Sequence, residues 1–438
     1  TADRGVVRMA GTRLLKPVEF RHMATAMGSA DAIKYIQTLP GVSTGAEGSS
    51  SFYVRGGNLG NNVITLDGGP VYGGSHLLGF STVYPQDIIS DIRFQVGGFT
   101  SEEGNLTSSH MSLTSNTGSF DRRSVDISAS NFILGATASA PLVKDKVSVL
   151  ASLRISPVGL ELSAIKNISA AMDSISAVRA AVYDAYGKIT WKVSGRQSLS
   201  MSIFNSLDSY GYRFGGTSEE RMRWSNTIAL LSHDFNISDN IGIHTAVSYN
   251  RFMNYQGMHK VLVGKTNDLA MLSTTRETSA LSTVSGSYGI FNWQTGVKYR
   301  HADFSPGTSS GYAENVMSPV SGVAAADVVT SNLLTFHGQV EMARQDRFLL
   351  RAAGRLNSFS SKRQAGSMDD CKFFDAEGDL LARLFAFKGF GLEATADWTT
   401  QYYHTLEGIP LGWSLDMIIP SDAKIAPEKA RQYYAGVF

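Results

Sequence analysis

Cysteine is almost absent from the sequence, which has only Cys371 among 438 residues. A single cysteine excludes an intramolecular disulfide framework and any zinc site built on several thiolates. The nine histidines form no H-E-x-x-H pattern, and the glycines have neither dinucleotide-binding nor Walker spacing. No G-x-S-x-G segment is present either. We therefore expect no metal, no cofactor and no catalytic residues, and the protein is not predicted to be an enzyme.

Charge is scarce and balanced, at 18% of residues and a net charge of +1. This balance argues against a general polyanion-binding surface. The segment from Arg55 to Gly57 matches an RGG box only once and is flanked by β-forming residues, so we do not expect a nucleic-acid partner. No run of about 18 or more apolar residues occurs, which excludes a transmembrane helix. The chain is either soluble or crosses a membrane as strands.

Glycine and aromatic residues are plentiful, with 43 glycines and 10% aromatics against 11 prolines. This profile favours β-structure with many turns. The pattern of apolar and polar residues changes near residue 118. Short segments broken by glycine precede this point, and long segments in which apolar and polar residues alternate follow it. We therefore predict two domains, residues 1–118 and 119–438.

The first domain is predicted to be a small α+β unit. Apolar residues at Ile33, Ile36 and Leu39 predict a short amphipathic helix over 30–39, which Pro40 and Gly41 end. Residues 52–54 and 63–66 are predicted as two strands joined by a tight connection. Residues 86–97 predict a short helical stretch followed by a strand over 92–96.

The second domain alternates strictly. In residues 147–156 one face carries Val147, Val149, Ala151, Leu153 and Ile155, and the other carries Ser148, Leu150, Ser152, Arg154 and Ser156. The same division recurs in residues 188–193, 241–250 and 390–398. Strands of about ten residues, terminal Trp or Tyr on the apolar face and ionisable groups on the other face are typical of a membrane barrel. A soluble sandwich also alternates, so the pattern leaves both open.

Motifs in the first domain carry a family resemblance. They are Leu39-Pro-Gly-Val42, Phe52-Tyr-Val-Arg-Gly-Gly57, Ile64-Thr-Leu-Asp-Gly-Gly-Pro-Val71, His76-Leu-Leu-Gly-Phe80 and Gly97-Gly-Phe99. In order and spacing they resemble the plug domain of TonB-dependent outer-membrane receptors, in the form common in Bacteroidetes. The resemblance covers roughly residues 5–118. In the second domain, residues 418–421 and 424–428 resemble a barrel segment of the family.

The resemblance implies a mainly β fold, in which an N-terminal α+β plug lies in the lumen of a transmembrane antiparallel β-barrel. It implies TonB-dependent active transport of a scarce nutrient (siderophore, cobalamin, glycan or peptide) across the bacterial outer membrane. The implied partners are the TonB-ExbB-ExbD energy-transducing complex, outer-membrane lipids and the substrate, with a surface lipoprotein as a candidate partner. Two alternatives stay open, a structural or adhesive surface β protein and a passive porin.

The resemblance also implies roles for plug residues. Gly56, Gly57, Gly68 and Gly69 would permit positive φ angles and close approach to the barrel wall. Arg55 would form an ionic lock with barrel carboxylates. Val96 stands where many members of the family have a second basic residue.

The resemblance also implies ligand contacts in the loop that begins at Tyr72, because the corresponding loop of the family faces the extracellular side. Here Tyr72, Ser75 and His76 offer an aromatic surface and hydrogen-bonding groups. The alternative is that Tyr72 and His76 pack against the barrel wall.

The number of strands bears on the extent of the chain. About a dozen strands are predicted after residue 118, whereas plugged transporters have about 22. We therefore expect the barrel to be incomplete in this chain, as in a fragment or half of a split receptor. In the competing interpretation, the terminal Phe438 closes the barrel.

Overall fold

The computed structural model describes most of the chain. The described residues are 11–20, 31–44, 52–76, 81–130, 132–168, 175–215, 218–262, 265–310, 328–344, 347–364, 370–387, 390–406 and 417–437. They form two large sheets that share no strand. We call the described residues between 11 and 118 the inner region, and the 14-stranded sheet that follows them the wall.

The inner region contains short strands and two short helices. The strands are β1 (Thr12–Leu15), β2 (Val42–Thr44), β3 (Phe52–Val54), β4 (Asn62–Leu66), β5 (Gly69–Pro70), β6 (Ser75–His76), β7 (Ser81–Thr82), β8 (Ile89–Gln95) and β9 (Ser109–Ser115). The helices are α1 (Pro17–Phe20) and α2 (Ala32–Ile36). A five-stranded sheet has the order β1-β8-β9-β4-β5, while β2 pairs with β3 and β6 with β7.

Helix α2 forms where the apolar spacing predicted a helix. Ile33 and Ile36 are buried in the core of the inner region. Asp31 caps the helix, since its carboxylate accepts hydrogen bonds from the amides of Ile33 and Lys34 at 2.9 and 3.2 Å. The helix is shorter than predicted because a turn already begins at Gln37.

The predicted connection between strands 52–54 and 63–66 is wrong in one respect. Both strands exist, but β3 pairs with β2, while β4 pairs in parallel with β9 and antiparallel with β5. A 3-10 turn at Leu59–Asn61 separates β3 from β4, so the two strands enter different sheets instead of forming a hairpin.

The wall is antiparallel throughout. Its strands are β10 (Ser124–Ala129), β11 (Leu134–Val143), β12 (Val147–Ser156), β13 (Ile175–Ser194), β14 (Gln197–Phe214), β15 (Ser218–Asn236), β16 (Ile241–Leu262), β17 (Lys265–Tyr288), β18 (Phe291–Ser310), β19 (Val329–Arg344), β20 (Phe348–Arg363), β21 (Cys371–Phe387), β22 (Phe390–Gln401) and β25 (Glu428–Val437). Helix α3 (Val158–Ile168) connects β12 to β13, and β23 (Tyr403–Leu406) pairs with β24 (Met417–Pro420) between β22 and β25.

The two faces of the wall have inverted polarity. On β12 the apolar Leu153 and Ile155 are 52% and 46% exposed, whereas Ser152 and Arg154 are only 6% and 8% exposed. Wall strands β13, β16 and β22 show the same arrangement, with apolar side chains outward and polar side chains inward. A soluble sandwich would bury the apolar face. This wall instead presents its apolar face to the surroundings, as a sheet in contact with lipid does.

The inner region packs against the inward face of the wall. Its core, which includes Leu66 and Val71, continues onto Leu150, Tyr186 and Phe204 of the wall. Polar contacts reach from β12 to β25, so the wall curves around the inner region. The predicted fold class, an α+β unit with an antiparallel strand wall in a mainly β chain, is confirmed. No helix among the described residues is long and apolar enough to span a bilayer.

The outward position of Leu153 predicts a penalty for a charge there. Leu153→Arg should lower the free energy of unfolding from a bilayer by about 2–4 kcal/mol, the cost of an arginine facing lipid near the midplane. Refolding into lipid vesicles, followed by the heat-dependent shift in gel migration, measures the folded fraction. Leu160→Arg is the matched control, because Leu160 is exposed on α3, outside the wall strands. Equal folded fractions for the two variants would contradict a lipid-facing surface at Leu153.

Candidate functional site

The candidate site is the interface between the inner region and the wall, and two glycine turns shape the inner side of it. Arg55 and Gly56 have φ angles of 49° and 81°, and Asp67 and Gly68 have φ angles of 52° and 90°. Two successive positive φ angles define a type I′ turn, which glycine favours. The amide of Gly57 closes the first turn by donating to the Val54 carbonyl at 2.9 Å.

Gly57 and Gly69 lie at close approaches. A Cβ on Gly57 would come within 2.7 Å of the Ser108 Cβ, and a Cβ on Gly69 would come within 2.7 Å of Ile228 Cγ2 on β15. Such distances are too short for any side chain. At Gly69 the backbone of the inner region therefore touches the wall directly.

Arg55 contacts the wall through an aromatic ring. Its Nη1 donates to the Val96 carbonyl at 2.9 Å, and its guanidinium lies 4.8 Å from the ring centroid of Tyr434 on β25. Within the described ranges Arg55 has no carboxylate within 4.0 Å, although Asp397 is close enough to interact electrostatically. The ionic lock by Arg55 stays a prediction.

The charged contacts to the Gly97-Gly98 turn come from the wall. The Gly98 amide donates to both carboxylate oxygens of Asp397 at 2.9 and 3.0 Å. The Gly98 carbonyl accepts a hydrogen bond from Arg351, and the Thr100 carbonyl accepts one from Arg355 Nη1 at 2.9 Å. The basic side chains thus belong to β20, and the inner region contributes its backbone.

Arg355 is held by two carboxylates of the neighbouring strand. Its Nε donates to Glu377 Oε2 at 2.6 Å, and its Nη2 lies 2.7 Å from Asp379 Oδ2. The three side chains have at most 1% exposure. Burial of these charges costs solvation, which the close ion pairs and hydrogen bonds offset. The guanidinium is therefore fixed before it meets Thr100.

Asp67 joins its turn to the wall. Its carboxylate accepts hydrogen bonds from the Ser115 amide and hydroxyl at 2.8 and 2.6 Å, and from the Tyr186 hydroxyl at 2.9 Å. Lys188 Nζ donates to Ser115 Oγ at 2.8 Å and lies 3.6 Å from Asp67. One aspartate thus shapes a turn, ties β4 to β9 and contacts β13.

His76 lies between two wall carboxylates. Its Nε2 is 2.5 Å from Asp184 Oδ1 on β13, and its Nδ1 bonds Asp208 on β14. Arg154 donates through Nε to the second oxygen of Asp184 at 2.7 Å and also bonds the Thr82 carbonyl. His76 is 2% exposed. The two carboxylates contact opposite ring nitrogens, which favours an imidazolium that donates to both.

The environment of His76 changes its pKa in two opposing ways. Burial lowers the pKa, but the charges of Asp184 and Asp208 and the hydrogen bonds to them raise it more, to about 9. His76 belongs to β6 of the inner region and not to a strand of the wall. The charged imidazole is therefore the expected form at neutral pH.

Tyr72 and Ser75 also face the wall. The Tyr72 hydroxyl donates to Glu277 at 3.0 Å, and the Ser75 carbonyl accepts from Trp224 Nε1 at 3.2 Å. The structure thus brings Tyr72, Ser75 and His76 into contact with the wall, as in the alternative interpretation of this loop. Their role in ligand binding stays a prediction, and residues 77–80 lie outside the described residues.

Sequence reasoning missed most of the wall side of this interface. It identified Arg154 only as an ionisable group on a polar strand face, and it did not identify Asp184, Asp208, Arg351 or Arg355. The available signal was the same for all five, since each is a charged residue at an inward position of an alternating strand. The pairing with the inner region could not be read, because His76 and Asp208 are 132 positions apart.

Removal of the His76 side chain should destabilise the interface. His76→Ala leaves two buried carboxylates without their shared partner, and we expect a loss of about 3–5 kcal/mol in the free energy of unfolding. Urea titration in lipid vesicles measures this loss. His244→Ala is the matched control, because His244 forms a half-exposed pair with Asp234 at 2.8 Å and should cost under about 1 kcal/mol. Similar losses in both variants would contradict a special role for His76.

The raised pKa of His76 predicts a pH dependence. A group whose pKa is higher in the folded state stabilises fully below its unfolded value, near 6.5, and loses this contribution as pH rises through about 9. The stability difference between the wild type and His76→Gln should therefore be largest near pH 6 and shrink toward pH 10. Urea titrations across this range measure the difference. A constant difference would show that the imidazole does not bind its proton more tightly in the folded protein.

Comparison with known proteins gives structural matches only. No protein-family model matches the sequence, and a search of curated proteins found no match. Among solved structures, the siderophore receptor PirA from Acinetobacter baumannii is similar with a TM-score of 0.64 at 13% identity, over 98% of this chain and 68% of that one. The copper transporter OprC gives a TM-score of 0.69 at 13% identity, over 98% and 69% of the two chains.

A third similar structure is FyuA from Yersinia pestis, a ferric yersiniabactin uptake receptor. It gives a TM-score of 0.66 at 9% identity, over 98% of this chain and 70% of that one. Identities this low establish the fold and nothing finer. The chain has the fold of these TonB-dependent outer-membrane receptors.

Proposed function

We propose that the protein is a TonB-dependent transporter of the bacterial outer membrane, which imports a scarce nutrient. The observation that carries this proposal is the polarity of the wall, which is apolar outward and polar inward around an inner region. A soluble adhesive protein has no use for such a surface, because exposed apolar patches of this extent promote aggregation. We assign residues 1–118 to the plug and 119–438 to the barrel wall.

The chemistry of the interface suits a plug that is fixed but can be moved. Arg355 is paired with Glu377 and Asp379, so its charge stays compensated within the wall when Thr100 leaves. The contacts that would break here are hydrogen bonds between backbone groups of the inner region and charged side chains of the wall, and water can replace them at about 1.5–3 kcal/mol each. Energy from the TonB-ExbB-ExbD complex would break several such bonds in sequence.

His76 is held more firmly than the Gly97-Gly98 turn. Its withdrawal from Asp184 and Asp208 would separate a buried cation from two buried anions, which costs far more than a neutral hydrogen bond. We therefore propose that the contact between β6 and the wall holds most firmly, and that the Gly97-Gly98 turn yields first.

The substrate is proposed by analogy with the similar structures, whose names include ferric siderophores and copper. A metal chelate is thus the first class to test, followed by cobalamin, glycans and peptides. Tyr72, Ser75 and His76 stay as proposed contacts on the ligand side of the plug. A surface lipoprotein is a further proposed partner, and the form of the family common in Bacteroidetes stays a prediction.

A disulfide between plug and wall tests whether plug movement is needed for uptake. A Cβ on Gly69 would lie 2.7 Å from Ile228 Cγ2 on β15, so Gly69→Cys with Ile228→Cys, in a Cys371→Ser background, should form a cross-link. We expect oxidised cells to lose uptake of radiolabelled ferric siderophores or copper at least about tenfold, because the plug cannot leave, while surface binding persists. Reduction should restore uptake.

The matched control is a cross-link within the wall. Ser248 and Ser279 face each other on β16 and β17, with their hydroxyls 2.7 Å apart, so their cysteine variants should cross-link without restraining the plug. Parallel assays in cells that lack TonB show whether uptake needs energy coupling. Uptake that persists with the plug cross-linked, or without TonB, would instead favour a passive porin.

A further inference from the structure

The outward face of the wall changes from apolar to cationic within one step along three strands. Arg251 follows Tyr249 at the next outward position of β16, Lys372 precedes Phe374 on β21, and Arg431 precedes Tyr433 on β25. The aromatic and the charged side chains of each step are on the same face, because positions two apart on a strand point the same way. An outward aromatic side chain at the boundary between an apolar band and charged residues is typical of a membrane interface.

Two of the outward cations are directly opposed. Arg251 on β16 and Arg276 on β17 are register partners, and both side chains are exposed. Neither forms a hydrogen bond or an ion pair with any described residue. Like charges that face each other across two strands destabilise a sheet. The pair therefore lacks a counter-charge from the protein itself.

The acidic neighbour of this pair does not neutralise it. Asp303 on β18 is the register partner of Arg276, but its carboxylate accepts a hydrogen bond from the Thr330 hydroxyl at 2.6 Å and is not within ion-pair distance of Arg276. On the other side, the register partner of Arg251 is the uncharged Thr227. An anion from outside the chain would therefore meet two guanidinium groups, neither of which forms an ion pair with a carboxylate among the described residues.

We propose that Arg251 and Arg276 bind the phosphate group of an anionic lipid in the surrounding membrane. Guanidinium groups bind phosphate through two parallel hydrogen bonds, and two opposed arginines can hold one phosphate from both sides. The exposed side chains of Tyr249 and Val247 occupy the next two outward positions of β16 after Arg251 and would contact the acyl chains. A soluble phosphate has no such chains to place there. The inference rests on the membrane location in the proposed function.

Lipid binding to the full-length protein tests this site. Native mass spectrometry of detergent-solubilised protein, with added phosphatidylglycerol or phosphatidylcholine, measures the preference for the anionic lipid. Two arginines near a membrane surface should raise this preference roughly thirtyfold. The preference should fall to near unity in the double variant R251Q/R276Q, with its fold checked by circular dichroism and heat-dependent gel migration.

The matched control removes two arginines that already have a carboxylate partner. Arg213 and Arg221 are 3.3 and 2.8 Å from Glu219, and R213Q/R221Q should keep the preference for phosphatidylglycerol. Equal loss in both double variants would mean that diffuse charge, and not this pair, attracts the lipid. Unchanged binding in R251Q/R276Q would overturn the site.

Two further measurements distinguish a lipid phosphate from a soluble phosphate, and this inference from the proposed function. If inorganic phosphate at millimolar concentration displaces phosphatidylglycerol, and the wild type shows no preference between lipids, then the ligand is a soluble anion and the lipid assignment fails. Nutrient uptake should persist in R251Q/R276Q. Absence of the wild-type protein from the membrane fraction would contradict the proposed function itself, whereas loss of lipid preference alone concerns only this inference.

Discussion

The internal pairing of the wall's buried charges is the interaction on which the rest of the structure depends. Arg355 is compensated by Glu377 and Asp379, and Arg154 by Asp184, before either arginine meets the inner region. Without these pairs, an inward arginine would have to take its counter-charge from the plug, and separation would leave an isolated charge away from bulk water. With them, the wall offers fixed donors to carbonyl groups of the inner region.

The inverted polarity of the wall follows from the same constraint. A strand between lipid and an enclosed plug must satisfy its backbone through neighbouring strands and place its polar side chains inward. Ser152 and Arg154 therefore lie against the inner region, while Leu153 and Ile155 point outward on the same strand. Two-residue alternation in the sequence thus produces both the apolar outward face and the polar face that contacts the inner region.

The sequence predicts the strands of the wall better than it predicts their partners. Alternation in residues 147–156 matches β12 at both ends, and the apolar spacing at Ile33 and Ile36 located α2. Alternation does not tell which face is outward, and the family motifs supplied that answer. The contacts of His76 with Asp184 and Asp208 could not be predicted, because these carboxylates come from β13 and β14 and meet the imidazole only after the wall has curved.

The position of Asp67 has a consequence for how the chain assembles. This residue adopts a left-handed backbone conformation and gives one carboxylate to both Ser115 and Tyr186. The carboxylate of Asp67 therefore stabilises both the hairpin of β4 and β5 and the contact between the inner region and β13. Neither part completes its hydrogen bonds without the other, so the inner region and the wall should fold together. An isolated inner region would leave the Asp67 carboxylate without the hydrogen bond from Tyr186.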